Sequence, residues 1–247
     1  MSKLCAFLSI VGTLVVFPLA AQAQIRPGEY ILGVGYGDLR ITAGKGSAFN
    51  FQLNALGANF HICELSGVIH NGESRMDDSA NEKLPCIVTF KLRPEGIVVA
   101  SKHERACSVY CGARAHFEGT YALPPMGCEP TYVALTRKRF KAAYDSKRYA
   151  EAQTLLTSIH EKCSKIMNEL DQGWVSNDLA ITQYRNGDSA SCRSTLKPWL
   201  ELAQTPDVAI KSDYLPSDSD ARLRIAQATR ANMKLCGVPV VIGAKSR

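Results

Sequence analysis

The sequence predicts an α+β chain in which a small antiparallel β-barrel or sandwich precedes an all-α domain. Three observations predict it. Apolar residues alternate with period two through the first half, the signature of half-buried strands. After Cys128 the apolar spacing becomes that of amphipathic helices. Between the two lies CSVYCGARAHFEGTYALPPMGC, Cys107 to Cys128, which holds three of the nine cysteines and ends in a Pro-Pro-Met-Gly break. The expected division is a signal peptide over 1–23, a disulfide-stapled β domain over 24–128 and a helical domain over 129–247.

Taken in order, the chain opens with Lys3, an apolar run from Phe7 to Ala20 and Ala21-Gln22-Ala23. A charged start, an apolar core and a small-residue site describe a cleaved secretory signal, and the run is short for a membrane anchor. No later segment approaches the roughly 18 apolar residues of a spanning helix. The expected location is the periplasm or the cell exterior.

Strands follow. In SAFNFQLN, Phe49, Phe51 and Leu53 share a face; in PCIVTFKL, Cys86, Val88 and Phe90 do; in GDLRITAG, Leu39 and Ile41 do. Turn signals separate them at 44–46, 56–59, 71–73 and 93–96. Short strands at this spacing argue for an antiparallel barrel or sandwich. MDDSANEK, from Met76, reads as a polar loop in which Asp77 and Asp78 are solvated.

Signal cleavage removes Cys5 and leaves Cys63, Cys86, Cys107, Cys111, Cys128, Cys163, Cys192 and Cys236. An even count in an exported chain reads as a disulfide framework, with about a hundred possible pairings. Five lie in the β half and three in the helical half, so complete pairing requires a bridge between the halves. The preferred set is Cys63–Cys86, Cys107–Cys111, Cys128–Cys163 and Cys192–Cys236.

Several motifs invite chemistry and are outweighed. Gly33-x-Gly35-x-Gly37 is followed by an alternating strand where a dinucleotide loop needs a helix, so the glycines serve a bulge or tight turn. Cys107-x-x-x-Cys111 is not the C-x-x-C of thiol exchangers. His61 and His116 are expected in cross-strand polar contacts, because a Cys–His nucleophile needs a thiolate that the framework denies. Asp77, Asp78 and Glu118 are the carboxylates an enzyme reading would use. No metal site or cofactor is expected, and an export signal disfavours nucleic acid.

Three clusters in the β half, Asn59-Phe60-His61-Ile62-Cys63-Glu64-Leu65-x-Gly67, Pro85-Cys86-x-Val88-x-Phe90 and Cys107-x-x-Tyr110-Cys111-Gly112-Ala113-Arg114, continuing through Phe117 to Tyr121, carry a resemblance. They resemble a small cysteine-stapled β domain of exported bacterial proteins, some related to lysozyme inhibitors. The resemblance implies a fold and brings no catalytic residues. Inhibitors of cationic lysozymes usually present acidic surface, whereas this β half has ten basic and ten acidic residues.

In the helical half, signals begin near Thr131 to Leu135, after a hinge closed by Pro130. Tyr144, Tyr149, Ala152 and Leu156 recur forty residues on in the pattern Tyr184, Gly187-Asp188, Cys192 and Leu196. This resembles the tetratricopeptide helix pair, with an extended connection around Asp171-Gln172-Gly173-Trp174. TPDVAIKSDYLPSDSD reads as a loop, a helix from about Asp218 to Cys236 as the cap, and VVIGAKSR as a terminal strand or a frayed tail. The net positive charge is concentrated here, much of it in TRKRFKAAYDSKRY, residues 136–149. That stretch is either a solvated helix face or the docking surface for an anionic partner, with Arg137, Lys138, Arg139, Lys141, Tyr144 and Tyr184 as candidate contacts.

The function expected from these features is a non-enzymatic binding or adaptor protein of the bacterial envelope, with a protein or an anionic envelope component as partner. The alternative is an inhibitor or immunity-type protein that blocks an envelope-degrading enzyme such as a lysozyme.

Overall fold

A computed structural model describes residues 25–33, 35–76 and 84–243. The expected signal peptide, Asp77 and Asp78 lie outside the described residues. Among the described residues the strands are β1 (Gly28–Leu32), β2 (Gly37–Ala43), β3 (Phe49–Leu56), β4 (Ile62–Ile69), β5 (Glu73–Met76), β6 (Cys86–Arg93), β7 (Gly96–Ser101) and β8 (Gly119–Ala122). They form one antiparallel sheet in the order β4-β3-β2-β1-β8-β7-β6-β5. Each turn signal read from the sequence separates two neighbouring strands, and β4 also meets β5 through the hairpin at His70–Glu73. The sheet thereby curls into a near-barrel around Leu39, Ile41, Phe51, Leu53, Val88, Phe90, Ile97 and Tyr121. All but Ile97 and Tyr121 are alternating positions read from the sequence, because period two places them on the inward face.

The helices are α1 (Glu104–Cys107), α2 (Pro130–Asp145), α3 (Tyr149–Cys163), α4 (Glu169–Arg185), α5 (Ser189–Leu196), α6 (Leu200–Gln204), α7 (Asp207–Asp213) and α8 (Pro216–Leu235). The pairs α2–α3, α3–α4 and α4–α5 pack in succession, and α8 lies against α4 through α7. Ala152 and Leu156 on α3, and Cys192 and Leu196 on α5, are fully buried at matching positions. The two connecting turns match as well. Lys147 (φ 60°) and Gly187 (φ 83°) both occupy the left-handed region, where glycine is at ease and lysine is strained.

Among the described residues, four disulfides staple the molecule. Cys128–Cys163 and Cys192–Cys236 are as expected, and Cys128–Cys163 is the bridge that parity required between the halves. The other two correct the expectation: Cys63 joins Cys111, and Cys86 joins Cys107. Cys107 ends α1, and Cys111 follows the 3₁₀ turn Ser108–Tyr110, where the chain becomes extended (φ −127°, ψ 141°). Cys111 then lies in a β-bridge opposite Cys63, while α1 packs on β6 and delivers Cys107 to Cys86.

Three helical assignments also change. Asp171 to Trp174 lie inside α4, with the connection at 164–168 instead. Gly173 is buried there because Ile225 and Trp199 pack too closely for a side chain. The expected loop over 205–220 contains α7 and the first turn of α8, and Pro130 opens α2 at its first position, where its missing N–H costs nothing. Val238 to Gly243 form no strand.

Candidate functional site

The two halves meet along a seam built by unusual helix capping. The residues preceding α2 and α8, Glu129 and Leu215, make no side-chain cap to their helices, and both helices begin with proline. Backbone N–H groups at a helix start need acceptors from elsewhere. The β half supplies them. Glu29 Oε2 on β1 accepts from Thr131 N at 2.9 Å, and its other oxygen accepts from the Thr131 hydroxyl. Arg40 on β2 joins this cluster, pairing with Glu29 at 2.8 Å. On the other side, Asn59 Oδ1 accepts from Ser217 N at 2.9 Å, and the Asn59 amide donates to Asp218 at 2.9 Å. Asn59 reaches both because it is held at φ 57° in the turn between β3 and β4. A carboxylate or amide oxygen at a helix N-terminus is also favoured by the helix dipole.

Between these clamps the β1–β2 turn docks on the α3–α4 connection. Gly35 sits at φ 76°, and a Cβ there would lie 2.7 Å from Asn168 N and 2.8 Å from Ile166 O. The turn expected at the glycines is therefore also a point of close approach. Asn168 donates to Gly35 O at 3.3 Å and caps α4 by accepting from Asp171 N at 2.9 Å.

A groove runs along this seam. Its first compartment, about 370 Å³, is floored by Ile31, Asp38, Asn54 and Leu56 on the outer face of β1–β3. Its wall is Val133, Ala134 and Arg137 of α2 with Ile166 and Met167 of the connection. Tyr36 and Asn168 border it and also line a second compartment of about 250 Å³, which reaches Glu169, Tyr214, Asp218 and Arg222. Ladder register explains the floor, since Ile31 lies opposite Asp38 and Asp38 opposite Asn54.

The charges in the groove are unequally matched. Arg137 is held by Asp171 at 3.5 Å and Asp178 at 3.7 Å. Arg222 pairs with Glu169 at 2.6 Å and lies 4.3 Å from the Tyr214 ring centroid. Asp38 accepts from the Asn54 amide at 3.3 Å, and among the described residues no lysine or arginine ion-pairs with it. Burial pushes its carboxyl above the usual aspartate range, against the opposing effects of Asn54 and the Arg40 charge. Burial likewise raises Asp178, with Arg137 opposing. The hydrogen bond from Arg222 holds Glu169 below the usual range.

The structure separates the six candidate contacts read from the sequence. Arg137 alone enters the groove wall. Lys138 and Arg139 are exposed, and Lys141 pairs with Asp145 one turn on. Tyr144 packs between Phe140 and Tyr149, at ring separations of 5.8 and 5.3 Å, and Tyr184 packs on the cluster around Cys192 and Cys236. His61 and His116 correct the expectation of cross-strand contacts: both lie outside the strands, His61 against Gly112 and His116 exposed. Glu118 accepts from the Ser101 hydroxyl at 2.9 Å. Among the described residues, no group of three His, Cys, Asp or Glu side chains is placed to hold a metal ion. No helix of the described residues is long and apolar enough to cross a membrane.

Sequence reasoning passed over Asp38, Asn54 and Asn168. Asp38 was visible only as a polar residue alternating with Leu39, the pattern of an ordinary solvent-facing position. No family model, curated protein or solved structure matches the chain.

Proposed function

We propose that the chain is an exported, non-enzymatic binding protein of the bacterial envelope, which holds its partner in the seam groove. The groove itself carries this reading. Concave, mostly apolar surface with a few placed polar groups is the usual form of a binding site, and sites of this kind favour the junction of two structural units. Both halves then contribute to recognition, the β half through the outer face of β1–β3 and the helical half through α2 and the α3–α4 connection.

On this reading α2–α3 and α4–α5 act as two tetratricopeptide-like pairs, with α8 as the cap. Support comes from the forty-residue correspondence of Tyr144 with Tyr184, Lys147 with Gly187, Ala152 with Cys192 and Leu156 with Leu196. Export is supported by the four disulfides, which persist in oxidising compartments. The groove is preferred to the basic stretch of α2 because that stretch is divided between helix faces and two of its cations are already ion-paired.

The test is capture from envelope extract by immobilised wild-type protein, by Ala134→Trp, whose indole fills the first compartment, and by Lys138→Glu/Arg139→Glu. The expected result is one set of partners held by wild type and the charge-reversed variant and lost from Ala134→Trp. Capture unaffected by Ala134→Trp but lost on charge reversal would move the site to the exposed face of α2.

A further inference from the structure

We propose that the groove takes a small amphiphilic amine, with its apolar body against Ile31, Leu56, Val133 and Met167 and its ammonium on the Asp38 carboxylate. This rests on reading the seam groove as the binding site, and names the chemistry of what it binds.

Size and lining set the body of the ligand. A compartment of about 370 Å³ lies within the ordinary range for small-molecule sites, roughly 300–1,000 Å³. The four apolar side chains named line it from both halves. Charge sets the head. The chain carries a formal net charge of +6, yet the groove is acidic, with Asp38 and Asp171 in the first compartment and Glu169 and Asp218 in the second. Asp171 and Glu169 are matched by Arg137 and Arg222, and Asp218 accepts a backbone amide. Among the described residues Asp38 and Asp218 ion-pair with no lysine or arginine, and of the two only Asp38 lies in the first compartment, beside Ile31 and Leu56.

The nearest candidate partner on its own face, Arg40, is engaged by Glu29 and Thr131 at the α2 clamp. A half-buried carboxylate with one neutral hydrogen bond remains poorly compensated for lost solvent. An ammonium supplies both the charge and further donors, and charge-assisted hydrogen bonds are about twice as strong as neutral ones. An anionic ligand meets the opposite situation, because both arginines lining the groove are already occupied. Burial has raised the Asp38 carboxyl by disfavouring its charged form, and a bound cation would lower it by favouring that form.

The experiment is calorimetric titration of the disulfide-intact mature protein with 4-phenylbutylammonium and its neutral counterpart 4-phenylbutanol, repeated with Asp38→Asn and Ala134→Trp. Wild type is expected to prefer the amine about tenfold, the scale of one charge-assisted hydrogen bond. In Asp38→Asn the preference is expected to vanish while the alcohol still binds, and Ala134→Trp is expected to bind neither. Equal binding of amine and alcohol, blocked by Ala134→Trp, overturns the cationic head and leaves the groove as the site. Binding indifferent to Ala134→Trp overturns the groove as well. A lysine-centred apolar tripeptide that binds where the amine does not overturns the small-ligand assignment in favour of a basic peptide. Failure of all three probes also overturns it, with the extract experiment then deciding separately whether the groove binds anything.

Discussion

Asp38 is a half-buried carboxylate whose charge works against folding. Its carboxyl is raised by burial, so the charged form is less stable in the folded protein than in the unfolded chain. A raised carboxyl contributes stability that is complete below the unfolded value, here 3.8, and is lost as pH rises through the higher folded value. Asp38→Asn removes the ionisation while keeping a polar group beside Asn54. The variant is expected to be more stable than wild type at pH 7, with the gap closing at pH 3, as read by urea midpoints at both values. A wild type that is more stable at pH 7 would mean that Asp38 has a cationic partner in the folded state.

At the scale of elements, two helix starts are completed by residues more than ninety positions away in the chain. Burial pushes the Glu29 carboxyl up, but hydrogen bonds from the Thr131 hydroxyl and amide and the Arg40 charge outweigh it and hold it below the usual range. A lowered carboxyl has the opposite linkage from Asp38. Its stabilisation is present above the unfolded value, 4.5, and is lost as pH falls through the folded value. Glu29→Ala is expected to cost about 1 kcal/mol, typical of a lost N-cap. Glu29→Gln retains an acceptor, so it should cost less and flatten the loss of stability below pH 4.5. Urea unfolding across the acid range measures both. An unchanged acid limb in Glu29→Gln would show that the α2 clamp is not what acid releases.

For the whole molecule, one disulfide lines the groove. Cys128 lies just before α2 and Cys163 ends α3, so their disulfide closes a 35-residue separation beside the groove. Cys192–Cys236 closes a comparable 44 residues but lies in the core between α5 and the end of α8. Double alanine replacement of either pair is expected to cost about 2–4 kcal/mol in urea unfolding. Only Cys128→Ala/Cys163→Ala is expected to weaken binding in the groove, because only that bridge lines it. Equal losses of binding in both variants would assign the effect to general destabilisation.

Alternation in the sequence located β2, β3 and β6, four of the turns and the inward face of those strands. Period-two alternation and glycine breaks are local signals, and Leu39, Phe51, Val88 and Phe90 had one face to choose. Two of the four preferred bridges, Cys128–Cys163 and Cys192–Cys236, also form, although the spacing of the cysteines left about a hundred pairings open. Tertiary structure alone decided the rest. Cys63 pairs with Cys111 because a β-bridge sets them opposite each other, and α4 runs through Asp171-Gln172-Gly173-Trp174, where Gly173 leaves room for Ile225 and Trp199. The groove was decided in the same way. Alternation marks Asp38 as facing away from the sheet's core, and the packing of α2 and the α3–α4 connection over β1–β3 turns that face from solvent into the floor of the groove. Burial of a polar residue on an outer sheet face depends on a second unit laid over it, and no pattern within one strand records that.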